Sequence, residues 1–588
     1  MCCTKHVLPF LVILARNNEG KVNSTTRRKL KKLQDDEETP FKDSSTLKVK
    51  TFPFVRKEPT CGKNTLNYFC EFCDNTSIHG FKFLGERKRY IPEKIWWMSV
   101  ILIALSSSSA LIRKSYYKWQ TSPVVVTFAT SETPIWDIPF PAITICPEVN
   151  AHPKVFNYSD VYLKYRREEN TTEEEDTYFK LYSTICNERL EFIDQNATKL
   201  MTDDEFSMFL GSFADLQAEH CKWLGEDLNC DDSFSYILTS EGWCRTFNML
   251  PPNEVYTDPG ELSENSTDEE ELWSFDGGYP PGAGFNTHPR RTMLTGVKAG
   301  LQLDLFTDDD NLDYLCNEIS GFMVTLHNPA EVPNMDTHFR VPMDTAVVVA
   351  IKPSMISTSD EIKSYSLDDR LCYLPGERQL SNYKIYTQQN CMVECLANYS
   401  LKVCGCAGFY MLSNEEVTPV CGAGSRKCLE EARVSFLDND FLSEHVNQSK
   451  KCNCLPTCTS LTFDAEVSQT EWNWRKTYHF KEHDQNFNIT YERDHFSRLI
   501  VYYKNLQFMT SERNELYGLF DFLANCGGFL GLLCGFSFTS LMEIIYFLTL
   551  RFVCNLIKFG TRIWSGNEDM MEKDRQQQIA MEELLNHH

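Results

Sequence analysis

The sequence lacks the short motifs that mark nucleotide-dependent and hydrolytic enzymes. It has no Walker loop, no HExxH, no GxSxG and no Rossmann fingerprint in a suitable context. Basic residues are also in deficit, since 58 Lys and Arg stand against 82 Asp and Glu and leave a net charge of -24. Nucleic acid is therefore excluded as a partner, and small cations are the better expectation. We expect neither an enzyme nor a bound cofactor or metal.

Long apolar runs are few, and two segments are able to cross a membrane. The first covers residues 95 to 112, IWWMSVILIALSSSSALI, with aromatic residues at both ends that suit the two headgroup belts. A buried helix of a soluble domain is the alternative for this segment. The second, residues 516 to 550, is longer than one straight span requires, so a tilt or a break is expected. The sequence predicts transmembrane helices at 95–117 and 514–551.

The flanks of these segments predict the orientation of the chain. RRKLKK at 27–32 and ERKRY at 86–90 precede the first span, and Arg551, Lys558 and Arg562 follow the second. By the positive-inside rule, the N-terminal region 1–94 and the tail 552–588 are cytoplasmic, and the loop 118–513 is extracellular. The loop carries essentially all of the negative charge.

Cysteines and glycosylation sequons agree with an extracellular loop. Sixteen of the 24 cysteines lie in it, ten of them between 372 and 458. A zinc site is the alternative for this cluster, but an oxidising compartment favours disulfides. The sequons of the loop are at Asn157, Asn170, Asn196, Asn265, Asn398, Asn447 and Asn488.

Within the loop, composition predicts several elements. The β-rich runs 122–128 and 499–508 lie next to the two spans, and we expect them to pair and to connect the membrane to the extracellular domain. The acidic runs 168–176 and 266–271 are expected to be solvated, mobile loops, with a specific ion site as the alternative.

The second span contains residues that a simple anchor does not need. Ala524, Gly528 and Gly531 give it a small-residue face for close helix packing. Glu543 within a span costs at least a few kcal/mol unless it meets water or a partner, so a water-filled path is implied. At Gly535 and Ser537 the backbone can leave the helix, and its carbonyl and hydroxyl oxygens can replace the hydration shell of a cation. One helix cannot enclose a pore, so the chain must oligomerise.

Six motifs in this order resemble the degenerin and epithelial sodium channel superfamily, with greatest similarity to its insect pickpocket branch. They span about 77 to 551 and are SIHG at 77–80, IPFPAITICP at 138–147, GWCRTFN at 242–248, YTQQNCMVEC at 386–395, CNCLPTC at 452–458 and LANCGGFLGLLCGFSFTSLMEIIYF at 523–547.

The resemblance implies an α+β membrane protein with two transmembrane helices, a disulfide-rich ectodomain of palm, knuckle, finger, β-ball and thumb, and a trimeric assembly. Gly535, Phe536 and Ser537 would form the selectivity filter. Ala524 would lie at the gate, and Asn525, Gly528, Gly531 and Glu543 would line the pore. His79 and Gly80 would be the N-terminal gating motif.

The resemblance also implies the disulfide pairing. The pairs would be Cys146–Cys244, Cys221–Cys230, Cys372–Cys458, Cys391–Cys454, Cys395–Cys452, Cys404–Cys428 and Cys406–Cys421, with Cys186 and Cys316 left over as a candidate eighth pair. Two positions depart from acid-sensing relatives: Asn525 replaces an aspartate and Arg370 replaces an aromatic residue. These departures put the proton gating of those relatives in doubt.

We therefore expect a plasma-membrane, amiloride-sensitive sodium channel that is gated through its extracellular domain by a ligand, protons or mechanical force, in sensory cells or epithelia. It would act in the lipid bilayer as a homo- or heterotrimer with related subunits and conduct Na⁺; the extracellular ligand is not identified. The alternatives are a two-span receptor of the scavenger type and a trimeric ATP-gated channel. A receptor needs neither Gly535-x-Ser537 nor Glu543, and ATP needs basic residues that the loop has in deficit.

Overall fold

The computed structural model describes residues 61–586 apart from 122–123, 149–154, 187–191, 195, 197, 259–272, 275–276, 285–286, 310–311, 317–318, 412–417, 443–451 and 482–492. The chain forms two compact units. We call the first, which runs to Thr121 and resumes at Tyr517, the helical unit; the second, Ser122–Leu516, is the sheet unit. The sheet unit contains 31 basic and 63 acidic residues, whereas the helical unit contains 27 and 19.

The helices are α1 Cys61–Asn75, α2 Phe81–Gly85, α3 Ile91–Thr121, α4 Tyr158–Arg166, α5 Glu173–Tyr182, α6 Asp203–Gly211, α7 Cys230–Ser233, α8 Pro252–Val255, α9 Asp360–Lys363, α10 Leu367–Arg370, α11 Gln388–Cys404, α12 Arg426–Leu442, α13 Trp474–Lys481, α14 Leu519–Cys534, α15 Phe538–Tyr546, α16 Phe552–Phe559 and α17 Glu568–Asn586. A π-helical turn, Phe547–Arg551, joins α15 to α16.

The strands are β1 Val124–Pro134, β2 Ala142–Pro147, β3 Leu200–Met201, β4 Gln217–Trp223, β5 Glu226–Asp227, β6 Phe234–Thr239, β7 Gly242–Phe247, β8 Leu301–Asp308, β9 Gly321–His327, β10 Phe339–Pro342, β11 Thr345–Thr358, β12 Val420–Cys421, β13 Ser460–Glu471, β14 Asp494–Tyr503 and β15 Gln507–Glu515.

Helix α3 contains the first predicted span and extends beyond it at both ends. Its 31 residues measure about 46 Å, more than the roughly 30 Å of a hydrocarbon core. Trp96 near its start and Tyr117 near its end are exposed in the protomer, as residues of a headgroup belt would be. At its C-terminal end α3 packs on α14, where Trp119 stacks on Phe522 with ring centroids 5.3 Å apart.

The second predicted span, 514–551, is not one helix and does not begin at 514. Residues 514 and 515 belong to strand β15, because their backbones pair with Val125 and Val124 of β1. The helical part begins at Leu519, stops after Cys534, resumes at Phe538 and continues past 551 to Phe559. Two helical segments of the described chain are long and apolar enough to cross a membrane, Ile91–Thr121 and Phe538–Phe559; Leu519–Cys534 is apolar but shorter.

Two sheets of the sheet unit enclose its main core. The larger has the strand order β1-β15-β11-β14-β8-β4-β5, with β13 also paired to β11, and the smaller has the order β10-β9-β2-β7-β6. Apolar side chains from both sheets meet between them, for example Ile143 and Phe322 from the smaller and Leu303 and Val349 from the larger. Face-to-face packing of this kind buries one side of each sheet.

The predicted pairing of 122–128 with 499–508 needs a correction. Strand β1 does pair with a strand next to the second span, but its partner is β15, with Val124 opposite Glu515. The run 499–508 contains the end of β14 and the beginning of β15. Its apolar residues reflect the position of β14 inside the large sheet, between β11 and β8.

The acidic run 168–176 is not a loop throughout. Thr172 and Glu175 form a reciprocal capping box, and helix α5 begins at Glu173. Four acidic residues, Glu173 to Asp176, occupy its first turn. Carboxylates there are favourable because the helix N-terminus has a partial positive charge. The other acidic run, 266–271, lies outside the described residues.

Eight disulfide bonds tie the sheet unit together. They are Cys146–Cys244, Cys186–Cys316, Cys221–Cys230, Cys372–Cys458, Cys391–Cys454, Cys395–Cys452, Cys404–Cys428 and Cys406–Cys421. Seven of these are the pairs that the resemblance implies. The eighth, Cys186–Cys316, joins the two cysteines that it left over. Five of them involve the region 372–458 and tether α11 and α12, so the cluster is a covalent framework.

Candidate functional site

The second membrane segment breaks at Gly535–Ser537. Gly535 ends α14 in the left-handed conformation, with φ 64°. Its amide donates to the Gly531 carbonyl at 2.9 Å, and the Phe536 amide donates to the Leu530 carbonyl at 3.2 Å. Glycine adopts this conformation without the steric penalty that other residues have, so the break follows directly from the residue at 535.

The break releases backbone oxygens. In the described part of the chain, no hydrogen bond ends on the carbonyls of Gly535 or Phe536. Ser537, by contrast, uses its side chain as the N-cap of α15 and accepts from the Ser540 amide at 3.3 Å. The hydroxyl expected to face an ion therefore also has a structural role, and the oxygens left unoccupied are carbonyls.

His79 packs directly against the break. The His79 amide donates to the Cys534 carbonyl at 2.9 Å, which takes up one of the last acceptors of α14. A Cβ added at Gly535 would come within 2.5 Å of the His79 ring. Gly535 is therefore required twice, once for its backbone conformation and once for the approach of the imidazole.

Gly80 connects the same segment to the first membrane helix. Its φ is +85°, and a Cβ added to it would lie 3.1 Å from Ile101 and 3.6 Å from Trp97, both on α3. Three residues on, Phe83 stacks on Trp97 with centroids 4.2 Å apart. The N-terminal segment thus lies between α3 and the break, with one glycine at each contact.

Glu543 is half-exposed and meets partners from the N-terminal segment, so the water-filled path inferred from this residue stays a prediction. Its Oε2 accepts hydrogen bonds from the Ser77 amide at 2.9 Å, the Thr76 hydroxyl at 3.0 Å and the Ser77 hydroxyl at 3.2 Å. The Ser77 hydroxyl also lies 2.7 Å from the Ser540 hydroxyl. Three donors offset the desolvation of a carboxylate and fix the N-terminal segment to α15.

The sequence gives no signal for the partners of Glu543 or for a second attachment, between α1 and the π-helical turn. Tyr68 of α1 donates its hydroxyl to the Phe547 carbonyl at 2.5 Å, at the start of the π-helical turn. One turn along α1, Glu71 forms an ion pair with Arg551 at 2.5 Å. A π-helical turn leaves carbonyls without their usual partners, so a tyrosine hydroxyl stabilises it. No short motif predicts contacts between residues almost five hundred positions apart.

The other residues predicted to line the pore lie on α14. Ala524 and Gly528 are exposed in the protomer, and Gly531 is half-buried, so a strip of small residues is available to other chains. The Asn525 amide does not extend freely; it donates to the Tyr517 hydroxyl at 2.6 Å.

The position that departs from acid-sensing relatives in the sheet unit, Arg370, is buried and fully engaged. Its guanidinium donates to the Cys372 carbonyl at 2.9 Å and the Tyr365 carbonyl at 3.0 Å, and it forms an ion pair with Glu377. An aromatic side chain has no set of three donors and no fixed positive charge, so it could not replace these contacts together.

Four of the predicted sequons lie in the described residues. Asn170, Asn196 and Asn398 are exposed, and Asn157 is half-buried at the N-cap of α4, where its side-chain oxygen accepts from the Asp160 amide at 2.9 Å. The amide nitrogen of Asn157, which would carry a glycan, is not used in this cap. Asn265, Asn447 and Asn488 lie outside the described residues.

Two helical segments long and apolar enough to cross a membrane, a helix break before the second of them, and a disulfide-bonded α/β unit are the features expected of a two-span membrane protein. The family model described as "Amiloride-sensitive sodium channel" matches residues 72–547. The chain belongs to this family, that is, to the degenerin and epithelial sodium channel superfamily, in its insect pickpocket branch.

Curated relatives agree over most of the chain. Pickpocket protein 28 of Drosophila melanogaster is 28% identical over 498 residues, which are 82% of this chain and 78% of that protein. Sodium channel protein Nach of Drosophila melanogaster is 22% identical over 490 residues, 81% of this chain and 86% of that protein. The bile acid-sensitive ion channel of Mus musculus is 21% identical over 520 residues, 84% and 90% of the two chains. The family is one of ion channels in membranes, not of enzymes.

Proposed function

We propose that the chain forms a trimeric, amiloride-sensitive, sodium-selective channel of the plasma membrane, with both termini in the cytoplasm and the sheet unit outside. Sensory cells or epithelia are its expected location. The observation that carries the proposal is the helix break at Gly535–Ser537, which lies inside an apolar segment and frees two backbone carbonyls. Broken backbone at membrane depth is tolerated only where it is buried in protein or lines a cavity.

The filter would be a ring of these carbonyls. Oxygens of Gly535 and Phe536 from several copies would replace the hydration shell of Na⁺, in the way that carbonyl rings serve other channels. Ser537 would hold the ring in place, since its hydroxyl caps α15 immediately after the break. This assignment makes the carbonyls, rather than the hydroxyl alone, the main ligands of the ion.

Several copies are needed because one broken helix cannot surround an ion pathway. The small residues Ala524, Gly528 and Gly531 favour close approach of the α14 helices around a common axis. A homotrimer or a heterotrimer with related subunits would satisfy this geometry. Ala524 would lie where the helices come together, as the gate.

Gating through the extracellular domain has a covalent route. Strand β1 follows α3 after two residues, and β15 ends at Glu515, four residues before α14. Because β1 and β15 pair with each other, a movement of this ribbon would pull on both membrane segments together. The stimulus would be a ligand, force or protons; the buried, fully bonded Arg370 argues against the proton mechanism of acid-sensing relatives.

Replacing Ser537 by cysteine tests the filter. In Ser537→Cys we expect a lower Na⁺ to K⁺ permeability ratio and block by a thiol-reactive cation, because the larger thiol disturbs the cap that holds the carbonyl ring. The measurement is the reversal potential under bi-ionic conditions. The matched control is Ser106→Cys, an exposed serine of α3. Unchanged reversal potentials and no block, in a variant that reaches the cell surface, would contradict the assignment.

A further inference from the structure

A cavity of about 270 Å³ lies inside the helical unit, next to the helix break. Three segments form its walls. Trp97, Ile101 and Ala104 come from α3, Leu530 and Leu533 come from α14, and His79 comes from the N-terminal segment. Phe536 of the break also reaches it. The cavity therefore exists only while these three segments lie together.

The chemistry of the walls selects an apolar, uncharged occupant. Among the described lining residues there is no carboxylate, lysine or arginine, and His79 is the one side chain with nitrogen acceptor capacity. An apolar cavity of about 150 Å³ lined by leucine, isoleucine and phenylalanine stays dry and binds benzene. A cavity nearly twice as large accommodates an uncharged molecule of one to two aromatic rings. A guanidinium compound or a hydrated cation would lose its hydration here without compensation.

The position of the cavity indicates how such a molecule arrives. Val100 and Leu105, which also line the cavity, are partly exposed on the surface of α3. That helix is long and apolar enough to cross a membrane. A compound dissolved in the hydrocarbon layer would therefore enter sideways between α3 and α14, at the bilayer concentration rather than the aqueous one.

We propose that this cavity binds a small, uncharged, apolar molecule from the bilayer and that the bound molecule holds the N-terminal segment against the helix break. The regulatory half rests on the proposed channel function. The ligand touches all three walls, so it binds the arrangement in which His79 packs on Gly535 and binds poorly once that segment leaves. Differential affinity of this kind shifts the equilibrium toward the clamped arrangement.

Photolabelling tests the binding half without any need for current. The full chain in lipid nanodiscs is irradiated with 3-trifluoromethyl-3-phenyldiazirine, an uncharged one-ring probe, and adducts are located by peptide mass spectrometry. We expect adducts on cavity residues that excess naphthalene suppresses. In Ala104→Phe, and more weakly in Ala104→Leu, cavity labelling should fall by about tenfold, because the new side chain fills the space. The matched control, Ala110→Phe, changes an exposed position of the same helix and should label like the parent.

Three other results of the photolabelling experiment would overturn the proposal. Labelling that naphthalene does not suppress means diffuse contact with lipid-facing residues. Equal cavity labelling in Ala104→Phe and Ala110→Phe means that the probe lies elsewhere. Labelling that appears in dispersed protomers and is absent in the assembled protein means that a second copy of the chain covers the site.

Currents test the regulatory half separately. Naphthalene should change the stimulated current in the parent and in Ala110→Phe, because it shifts the position of the N-terminal segment, and should leave Ala104→Phe unaffected. Suppressible labelling without any effect of naphthalene on a measurable current would overturn the clamp. A chain that labels as expected and conducts nothing would instead overturn the proposed channel function and leave the site intact.

Discussion

The N-terminal segment contacts the membrane helices at two glycines. The side chain that leaves no room for a Cβ differs between them. At Gly535 the nearest atoms to an added Cβ belong to the His79 ring, whereas at Gly80 they belong to Ile101. The sequence allowed a break at Gly535 to be predicted, because the small side chains of Gly535 and Ser537 let the backbone leave the helix. It did not reveal that the imidazole fills the space left by the missing side chain, because that contact joins residues 456 positions apart.

The pair can be tested by suppression. Gly535→Ala should impair permeation and lower the free energy of unfolding, by about 1–2 kcal/mol for the left-handed backbone plus the cost of the clash. Adding His79→Ala should recover the part that the clash contributes and leave the backbone part. The reversal potential measures the effect on permeation, and thermal unfolding of the purified chain measures the effect on the free energy of unfolding. Gly211→Ala is the control, since Gly211 lies in the sheet unit and no atom lies within 4 Å of its added Cβ. Strictly additive effects of the two substitutions would refute the direct contact.

A second residue-scale feature is an imidazole held between two carboxylates in the sheet unit. His495 Nδ1 lies 2.8 Å from Asp344 and Nε2 lies 2.9 Å from Asp309, so both nitrogens can donate when the imidazole is protonated. Burial alone would lower the pKa of His495, but the hydrogen bonds and charges of the two aspartates outweigh it and raise the pKa above 6.5. The stabilisation is therefore fully present below pH 6.5 and is lost as pH rises through the folded-state pKa.

We expect the melting temperature of the full chain to fall between pH 6 and pH 9, and this fall to be smaller in His495→Gln. The side chain is 18% exposed, so the substitution should cost about 1–2 kcal/mol at pH 6 and less at pH 9. Thermal unfolding at a fixed scan rate measures it. His220→Gln, which changes a half-exposed imidazole, is the control. The same pH dependence in His495→Gln as in the parent would show that the imidazole of His495 is not protonated in the folded chain.

At the scale of elements, the second membrane segment is four pieces that other parts of the chain hold in place. The break, the first turn of α15 and the π-helical turn each have a partner in residues 68–79, as the contacts of His79, Ser77 and Tyr68 show. Composition predicted a small-residue face and a break. It could not predict that Glu543 would receive donors from Thr76 and Ser77, because hydrophobic patterning is silent on which polar groups meet across a fold. The acidic start of α5 was missed for a different reason, since its capping box outweighs the repulsion of like charges.

The attachment at Glu543 should control how freely the N-terminal segment moves. In a Ser77→Cys background, where the residue 77 amide still donates, Glu543→Gln should raise the modification rate of residue 77 by a charged thiol reagent about tenfold, because charge-assisted hydrogen bonds are roughly twice as strong as neutral ones. Peptide mass spectrometry of the purified chain in nanodiscs gives the rate. Glu582→Gln, an exposed glutamate of α17, should leave it unchanged. Equal rates in both variants would remove Glu543 as the anchor.

At the scale of the whole molecule, the family and the disulfide framework follow from ordered motifs, while the assembly is a matter for experiment. Cysteine spacing alone allows many pairings, and it was the resemblance that selected among them. The protomer leaves Ala524 and Gly528 exposed on an apolar helix, which is unfavourable for an isolated chain in water and suits close packing with further copies.

The proposed trimer predicts a strong effect at Ala524. In Ala524→Phe, three phenyl rings would crowd one axis and force the α14 helices apart, so we expect a constitutive inward Na⁺ current that amiloride blocks. Whole-cell current without stimulus measures it. Leu523→Phe, on the same helix at an already large and exposed residue, is the matched control. A closed-state leak equal to that of the parent, at equal surface expression, would place Ala524 away from the gate.

The close fit of His79 against Gly535 also limits how sequences of this family can be recombined. A chimera that takes its last membrane segment from one relative and its amino-terminal part from another brings together two surfaces that were never matched, even when each half folds well in its parent. Residues 76–80 and 534–543 should therefore be exchanged between relatives as a single unit. Grafts that move them jointly should retain gating that grafts of either half lose.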